Sequence, residues 1–113
     1  MTEPSWVHHL LDHAAERWPH APYLRHAGQA LTFEQTRVWS LRAAAWLREQ
    51  GLQPGDRLVV ALTNQPLIAA LVFAASRLGA VWCVLHPDAR PPRLRAMAAD
   101  CTPALTVADG PAL

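Results

Sequence analysis

GDRLVVALTNQPLIAALVFAASRLGAVWCVLHPD, residues 55–88, is the stretch that decides the fold. RLVVAL, near its start, is a short run rich in branched apolar residues, which is typical of a strand buried on both faces. An apolar helix is predicted from Pro66, which suits a first helical turn, to Gly79, which suits a helix end. AVWCVL then predicts a second strand. This order of elements predicts two parallel strands joined by a right-handed crossover.

The sequence after this stretch continues the alternation of helices and strands. The two prolines at 91–92 predict the start of a helix that runs to about Asp100. ALTVA, residues 104–108, predicts a third short strand. Either Asn64 or Gln65 is predicted to cap the central helix.

The sequence before this stretch predicts a helix and a hairpin. Apolar residues recur at helical spacing over residues 6–18, and Pro19 stops the helix. YLRHA and ALTF, within residues 23–33, predict two antiparallel strands. Gly28 and Gln29 separate them, with glycine at the first central position of a tight turn.

A second helix links the hairpin to the central stretch. Thr32 and Gln35 form a capping-box pattern at its start, and Gly51 is placed to end it after about Gln50. Residues 1–113 are therefore predicted to form a single α/β domain. It would contain a small parallel sheet with right-handed crossovers, preceded by a helix and a hairpin.

The composition argues against several classes of function. The 113 residues carry a net charge of +1, and the ten positive side chains are all arginine. They are spread along the chain, so we expect no nucleic-acid partner. Without lysine, no side chain can act as a Schiff-base amine or a lysine general base. The longest apolar run is too short to span a membrane, and no signal peptide is visible, so we expect a cytoplasmic protein.

The cysteines and histidines give weak signals of chemistry. Cys83 and Cys101 are far apart and form no CxxC motif, so we expect buried thiols in a reducing compartment. His9 and His13 have a spacing that suits a metal, with the third ligand to come from Asp12, His20 or elsewhere, but a solvated helix face explains the same spacing. We predict no metal site.

Phosphate-binding and nucleophile motifs are not recognisable either. The glycines form neither GxGxxG nor GxxxxGK[ST]. Asp88 and the arginines at 90, 93 and 95 would suit an anion near a helix start, although a solvated, capped helix start is the interpretation we favour. We therefore predict no catalytic and no cofactor-binding residues.

The strongest candidate for a functional surface lies on the second helix. Trp39, Arg42 and Trp46 are spaced i, i+3 and i+7 and therefore form one stripe, with Arg42 in reach of either indole. Tryptophan and arginine often dominate the binding energy of protein interfaces. Packing of both tryptophans under the first helix or the hairpin is the interpretation we favour, and a stripe that meets another chain is the alternative.

The order of several segments resembles one family. LTFEQ is followed by an alanine-rich helix, REQGLQPGDRLVVAL, an N-x-P motif, RLGAVWCVLHPDARPPRLRAM and PALTVAD. Over about residues 10–109 this order is similar to the amino-terminal part of the adenylate-forming (AMP-binding) superfamily. That superfamily includes acyl-CoA synthetases and the adenylation domains of nonribosomal peptide synthetases. The resemblance implies the fold of their first subdomain.

The resemblance implies a scaffold without catalytic groups. Complete members are several times longer, and they use ATP and magnesium to convert a carboxylate into an acyl-adenylate before passing the acyl group to a thiol. Their phosphate loop, ribose-binding aspartate and catalytic lysine lie in segments that this sequence does not contain. Neither activity nor a bound cofactor is expected for this chain alone.

Two functions remain open at this point. The first is a truncated or split adenylate-forming acyl or aminoacyl ligase, which acts with a complementary polypeptide that carries the ATP site. The second is a stand-alone, non-catalytic interaction module that binds a synthetase or a carrier protein. In both, a three-stranded sheet with two free edges predicts a protein partner or self-association.

Overall fold

The computed structural model describes residues 6–63, 65–85 and 91–108, which form an α/β arrangement of helices and strands. In chain order these are α1 Val7–Arg17, β1 Pro22–His26, β2 Gln29–Thr32, α2 Phe33–Glu49, β3 Arg57–Ala61, α3 Pro66–Leu78, β4 Val81–Val84, α4 Pro91–Asp100 and β5 Leu105–Ala108. The predicted fold class and element order are confirmed. Within the described residues, the helices are too short or too polar to cross a membrane.

The central sheet has the strand order β4–β3–β5, and both strand pairs are parallel, as predicted. Leu58 of β3 pairs with Trp82 of β4 on one side and with Leu105 of β5 on the other. The first strand of the sheet in sequence is therefore its middle strand. Its neighbours on both sides explain why β3 reads as a continuous apolar run.

The side chains of β3 alternate between two buried faces. Leu58 and Val60 belong to the main core cluster, which α2 and α3 complete. Val59 and Ala61 point to the opposite face and are equally buried. A crossover of the usual right hand from β4 to β5 would place α4 over this second face, and Ala98 of α4 is buried.

Helices α2 and α3 pack together through small side chains. On α2 the buried residues are Thr36, Ser40, Ala44 and Leu47, and on α3 they include Ala70, Ala74 and Ala75. The two buried hydroxyls donate to nearby backbone carbonyls: Thr36 Oγ1 to that of Thr32 at 2.9 Å and Ser40 Oγ to that of Arg37 at 2.7 Å. Small side chains allow a close approach of the two helix axes.

The β1–β2 hairpin differs from the prediction in the position of its turn. The predicted turn is Gly28-Gln29, but Gln29 pairs with His26, so the two central residues are Ala27 and Gly28. Both have positive φ, 51° for Ala27 and 78° for Gly28. Two positive values match the right-handed twist of the adjoining strands, which explains why the turn includes an alanine that otherwise avoids this conformation.

The local signals at the helix ends are confirmed. The Gln35 backbone N–H donates to Thr32 Oγ1 at 3.0 Å, and the Thr32 N–H donates to Gln35 Oε1 at 2.9 Å, which completes the capping box. At α3, Gln65 takes the N-cap position, although its side chain makes no capping hydrogen bond, and Gly79 ends the helix with a φ of 72°. The other predicted cap, Asn64, lies outside the described residues.

Candidate functional site

The predicted stripe of Trp39, Arg42 and Trp46 lies on a flank of α2. Trp39 is half-buried, whereas Arg42 and Trp46 are exposed, Trp46 to 45%. The buried face of the same helix runs through Ser40, Ala44 and Leu47. The three side chains of the stripe are therefore at the margin of the core.

This stripe borders an apolar groove of about 450 Å³ between α2, α3 and β5. We name it the indole groove, and its lining residues are Trp39, Arg42, Ala43, Trp46, Leu67, Leu71 and Val107. Arg42 is its charged member. Because Val107 belongs to β5, the groove joins the flank of the helix to the margin of the sheet.

Trp39 also borders a second groove, of about 370 Å³, on the side of the hairpin. Leu24 and Leu31 of the hairpin and Pro66 of α3 contribute to its lining. Trp39 thus lines both grooves, whereas Trp46 lines the indole groove.

Among the described residues, the cation–π contact lies at the end of α1 and not at Arg42. Arg17 lies over the ring of Trp18, with its guanidinium carbon 5.1 Å from the ring centroid. Both residues are exposed, at the end of α1. The interface role of Trp39, Arg42 and Trp46 stays a prediction.

A polar network, which the sequence analysis misses, fastens α1 to α2 and α3. Arg77 of α3 donates from Nη1 to Asp12 Oδ2 of α1 at 2.9 Å, and from Nε to Ser40 Oγ of α2 at 3.0 Å. His8 Nδ1 lies 2.7 Å from Ser76 Oγ, and the His8 backbone N–H donates to the same oxygen at 3.2 Å. The bonded pairs of the network are 37 to 68 residues apart in sequence, so no local motif predicts it.

The network shifts the pKa values of two of its members. Burial lowers the pKa of His8 below 6.5, as do the neighbouring His9 and Arg77, while Asp12 opposes the shift. Burial alone would raise the pKa of Asp12, but the hydrogen bond and charge of Arg77 outweigh burial and lower that pKa below 3.8. At neutral pH the network therefore contains an uncharged His8 and an ionised Asp12.

This arrangement of serine, histidine and aspartate does not suit nucleophilic catalysis. Ser76 is buried within α3, and its hydroxyl is already bound by His8. The Asp12 carboxylate pairs with Arg77. A nucleophile has to be reachable by its substrate and activated by a base that a third group orients. We therefore interpret the network as a structural fastening of α1.

The two histidines with metal-like spacing do not gather further ligands. His9 is half-buried and His13 is exposed on α1. In the part of the chain that the structure describes, no group of three or more histidine, cysteine, aspartate or glutamate side chains is placed to hold a metal ion. Asp12, a candidate third ligand, is paired with Arg77.

The alternative anion site next to α4 falls mainly outside the described residues. Asp88 and Arg90 are not described, and Arg93 and Arg95 are exposed on α4. The anion site therefore stays a hypothesis.

The expectation for the cysteines is wrong in one respect. Cys83 and Cys101 were expected to be buried, but both are half-exposed free thiols. The neighbouring Cys83 thiol, with burial second, raises the pKa of Cys101 above its usual value. The residues lie 18 positions apart in sequence, and the fold of the second crossover brings them together.

The chain is similar in sequence and in fold to several known proteins. The family model described as AMP-binding enzyme matches residues 11–112. Anthranilate–CoA ligase from Pseudomonas aeruginosa is 38% identical over 97 residues, which cover 84% of this chain and 19% of that protein. The solved structure of VinN with L-aspartate has a TM-score of 0.89 and 31% identity, covering 94% of this chain and 30% of that one.

A third relative matches in fold alone. The N-terminal domain of FACL13 from Mycobacterium tuberculosis has a TM-score of 0.87 at 20% identity, covering 91% of this chain and 26% of that one. The chain thus spans about a fifth of the length of the anthranilate ligase and less than a third of each solved chain.

Proposed function

The chain belongs to the AMP-binding enzyme family, and we propose that it serves as the amino-terminal subdomain of an adenylate-forming acyl or aminoacyl ligase. On this proposal the chain is inactive alone and acts with a complementary polypeptide that carries the ATP site. Its fold is that of the N-terminal domains of adenylate-forming enzymes. The observation that carries the proposal is the indole groove beside the edge strand β5.

The groove has the properties of a surface that another polypeptide covers. Its lining is apolar apart from Arg42, and Trp46 is 45% exposed within it. Among the described strands, β5 pairs with β3 and leaves its outer backbone edge free. A strand added at this edge would bring its own side chains over Val107 and into the groove.

The opposite margin of the sheet supports the same interpretation. β4 is the other outer strand among the described residues, and its Val81 and Val84 are 49% and 48% exposed. Both margins of the sheet therefore present apolar side chains. We infer that further polypeptide borders the sheet on both sides in the active assembly.

The amino-acid composition indicates which groups of the active site each of the two polypeptides supplies. The chain contains no lysine, so a phosphate-binding or catalytic lysine has to come from the complementary polypeptide. In this assembly, residues 11–112 supply a folded support, and the ATP-binding groups and the acid pocket are supplied by the partner.

The proposal is tested by complementation. The probe is the Pseudomonas aeruginosa anthranilate–CoA ligase from which the matched segment has been removed. Size-exclusion chromatography and calorimetry measure its binding to the 113-residue chain, and ATP–pyrophosphate exchange measures adenylation. We expect a one-to-one complex, and exchange only in the complex.

A matched pair of variants tests whether binding of the complementary polypeptide depends on the indole groove. Trp46→Glu places a charge in the indole groove, whereas Leu41→Glu places the same charge on α2 outside the lining of the groove, at a comparable exposure of 43%. We expect the first variant to weaken the complex and the second to leave it unchanged. Exchange by the chain alone, or equal binding by both variants, would contradict the proposal. Preferential binding to the intact ligase would instead favour the stand-alone interaction module.

A further inference from the structure

We propose that the indole groove receives a segment of the complementary polypeptide that is apolar except for one carboxylate, and that this carboxylate pairs with Arg42. The pairing rests on the proposed function, because it names the chemistry of the segment that covers the groove. It adds one directional ion pair to an otherwise apolar contact. Arg42 then selects the partner, since a segment without the carboxylate leaves the guanidinium unpaired.

Arg42 lies at the junction of two grooves on the flank of α2. It lines the indole groove, and it also lines an adjoining groove of about 350 Å³ to which Leu31 and Val38 contribute. Its side chain is exposed, so the guanidinium is hydrated while the grooves are uncovered. A polypeptide segment that fills the indole groove removes part of this hydration.

The nearest acidic member of these linings is already engaged. Glu34 lines the adjoining groove, and both of its carboxylate oxygens accept hydrogen bonds from Arg37 Nε, at 3.0 and 3.1 Å. Arg37 Nη2 is paired with the same carboxylate. Arg42 itself has no hydrogen bond, ion pair or ring contact with any other described residue. The counter-charge for Arg42 therefore has to come from outside the described chain.

Arg77 shows what a buried guanidinium requires in this fold. Its side chain is only 12% exposed, and it donates to the Asp12 carboxylate at 2.9 Å and to Ser40 Oγ at 3.0 Å. A charged group that loses its water without gaining a partner is strongly destabilising. Arg42 approaches this condition once a partner covers the groove, so the covering segment has to supply the missing acceptor.

A carboxylate is the side-chain group that matches a guanidinium best. It accepts two parallel N–H···O bonds, which fix the orientation of the pair, and an apolar surrounding strengthens the attraction by excluding water. The rest of the segment has to be apolar, because it contacts Leu67, Leu71 and Val107. Arg42 is the charged residue of the groove lining, so a second carboxylate would be covered without a partner.

The absence of lysine from the chain permits a direct test of this pairing. Arg42→Lys keeps the positive charge and introduces the single side-chain amine of the protein. A zero-length carbodiimide joins an amine to a carboxylate that is in contact with it. The variant is mixed, at saturating concentration, with the Pseudomonas aeruginosa anthranilate–CoA ligase from which the matched segment has been removed, and cross-linked peptides are identified by mass spectrometry.

A matched control places the amine elsewhere on the same helix. Arg48→Lys introduces it at an exposed position of α2 that lines neither groove. The unmodified chain measures the background from the amino-terminal amine. We expect position 42 to be joined to one aspartate or glutamate of the truncated ligase, and position 48 to give no cross-link above this background.

The affinity of the complex provides a second, independent measurement. Arg42→Met removes the charge but keeps a long apolar side chain, and we expect it to raise the dissociation constant about tenfold in calorimetry. The salt dependence of binding should fall in the same variant, because an ion pair is screened by salt. Arg48→Met should leave both quantities unchanged.

The outcomes separate the ion pair from the proposed function. A complex that forms and exchanges pyrophosphate, but shows no cross-link from position 42 or has unchanged affinity in Arg42→Met, would overturn the ion pair and leave the proposed function intact. Failure of the unmodified chain to bind the truncated ligase would overturn both. A cross-link between two copies of the chain would assign the groove to self-association and would also overturn the pairing.

Discussion

Helix α2 has two sides that differ in what they contact. On the inner side, Ser40 and Leu47 are completely buried against α3 and the sheet. On the flank, only a few residues away, Trp39 is half-buried and Trp46 is 45% exposed. The two tryptophans, which are the largest of these side chains, are therefore less buried than the smaller side chains on the inner side.

This difference indicates two separate tasks for one helix. The small inner side chains let α2 and α3 approach and complete the core of the subdomain, which needs nothing from outside the chain. The large indoles leave the indole groove uncovered in the described residues. Tryptophan at such a margin gains most of its burial only when a partner arrives. The inner side is therefore expected to decide folding, and the flank to decide association.

The largest effect is expected from the inner side. Leu47→Ala removes a completely buried side chain from the core cluster and should lower the free energy of unfolding by about 2–5 kcal/mol. Urea denaturation followed by circular dichroism measures this loss. Leu41→Ala, on the same helix at 43% exposure, should cost less than about 1 kcal/mol. Equal losses in the two variants would show that the inner side of α2 contributes no more to the free energy of unfolding than its exposed side.

The next effect concerns the polar network at the inner side. Arg77→Met keeps most of the volume but leaves Asp12 and Ser40 without their charged donor. We expect a loss of roughly 1.5–3 kcal/mol in the free energy of unfolding. The double variant with Asp12→Asn measures the coupling between the pair. If the two single losses simply add up, the ion pair does not hold α1 in place.

A smaller effect is expected on the flank, and it concerns association. Trp46→Glu should change the free energy of unfolding by only about 0.5 kcal/mol. It should weaken binding to the complementary polypeptide by about 1–2 kcal/mol, as calorimetry would measure. A large loss of stability with unchanged binding would reverse the division of tasks between the two sides.

The smallest effect is a dependence of stability on pH. The pKa of His8 in the folded chain lies below 6.5, so the unfolded chain binds more protons in the interval between the two values. The contribution of His8 to stability is complete above pH 6.5 and is lost as the pH falls through the lower, folded-state pKa. Urea titrations above the pH at which Asp12 titrates should show this slope, and His8→Asn should reduce it. An unchanged slope in the variant would assign it to other groups.

Local signals in the sequence predict much of the fold. The capping box of Thr32 and Gln35, the glycine end of α3 and the apolar run of β3 each depend on a few adjacent residues, and the structure contains all of them. The hairpin turn is the local feature predicted wrongly. Glycine at position 28 permits two turn positions, and strand pairing, which is not local, selects the one that includes Ala27.

Features that depend on distant residues could not be predicted in the same way. The stripe of Trp39, Arg42 and Trp46 follows from helical spacing, but its neighbour Val107 depends on the position of β5 in the sheet. The bonds of Arg77 to Asp12 and Ser40 join three helices, and spacing along the chain gives no hint of them.

The strand order also has a consequence for synthesis on the ribosome. The middle strand β3 is made first, and its two partners begin 24 and 48 residues after its start, in the direction of translation. Until β5 has emerged, a strongly apolar strand has an unpaired side. The nascent chain therefore passes through a stage in which chaperones that recognise extended apolar segments have a binding site, and this stage ends only when the outer strands have formed.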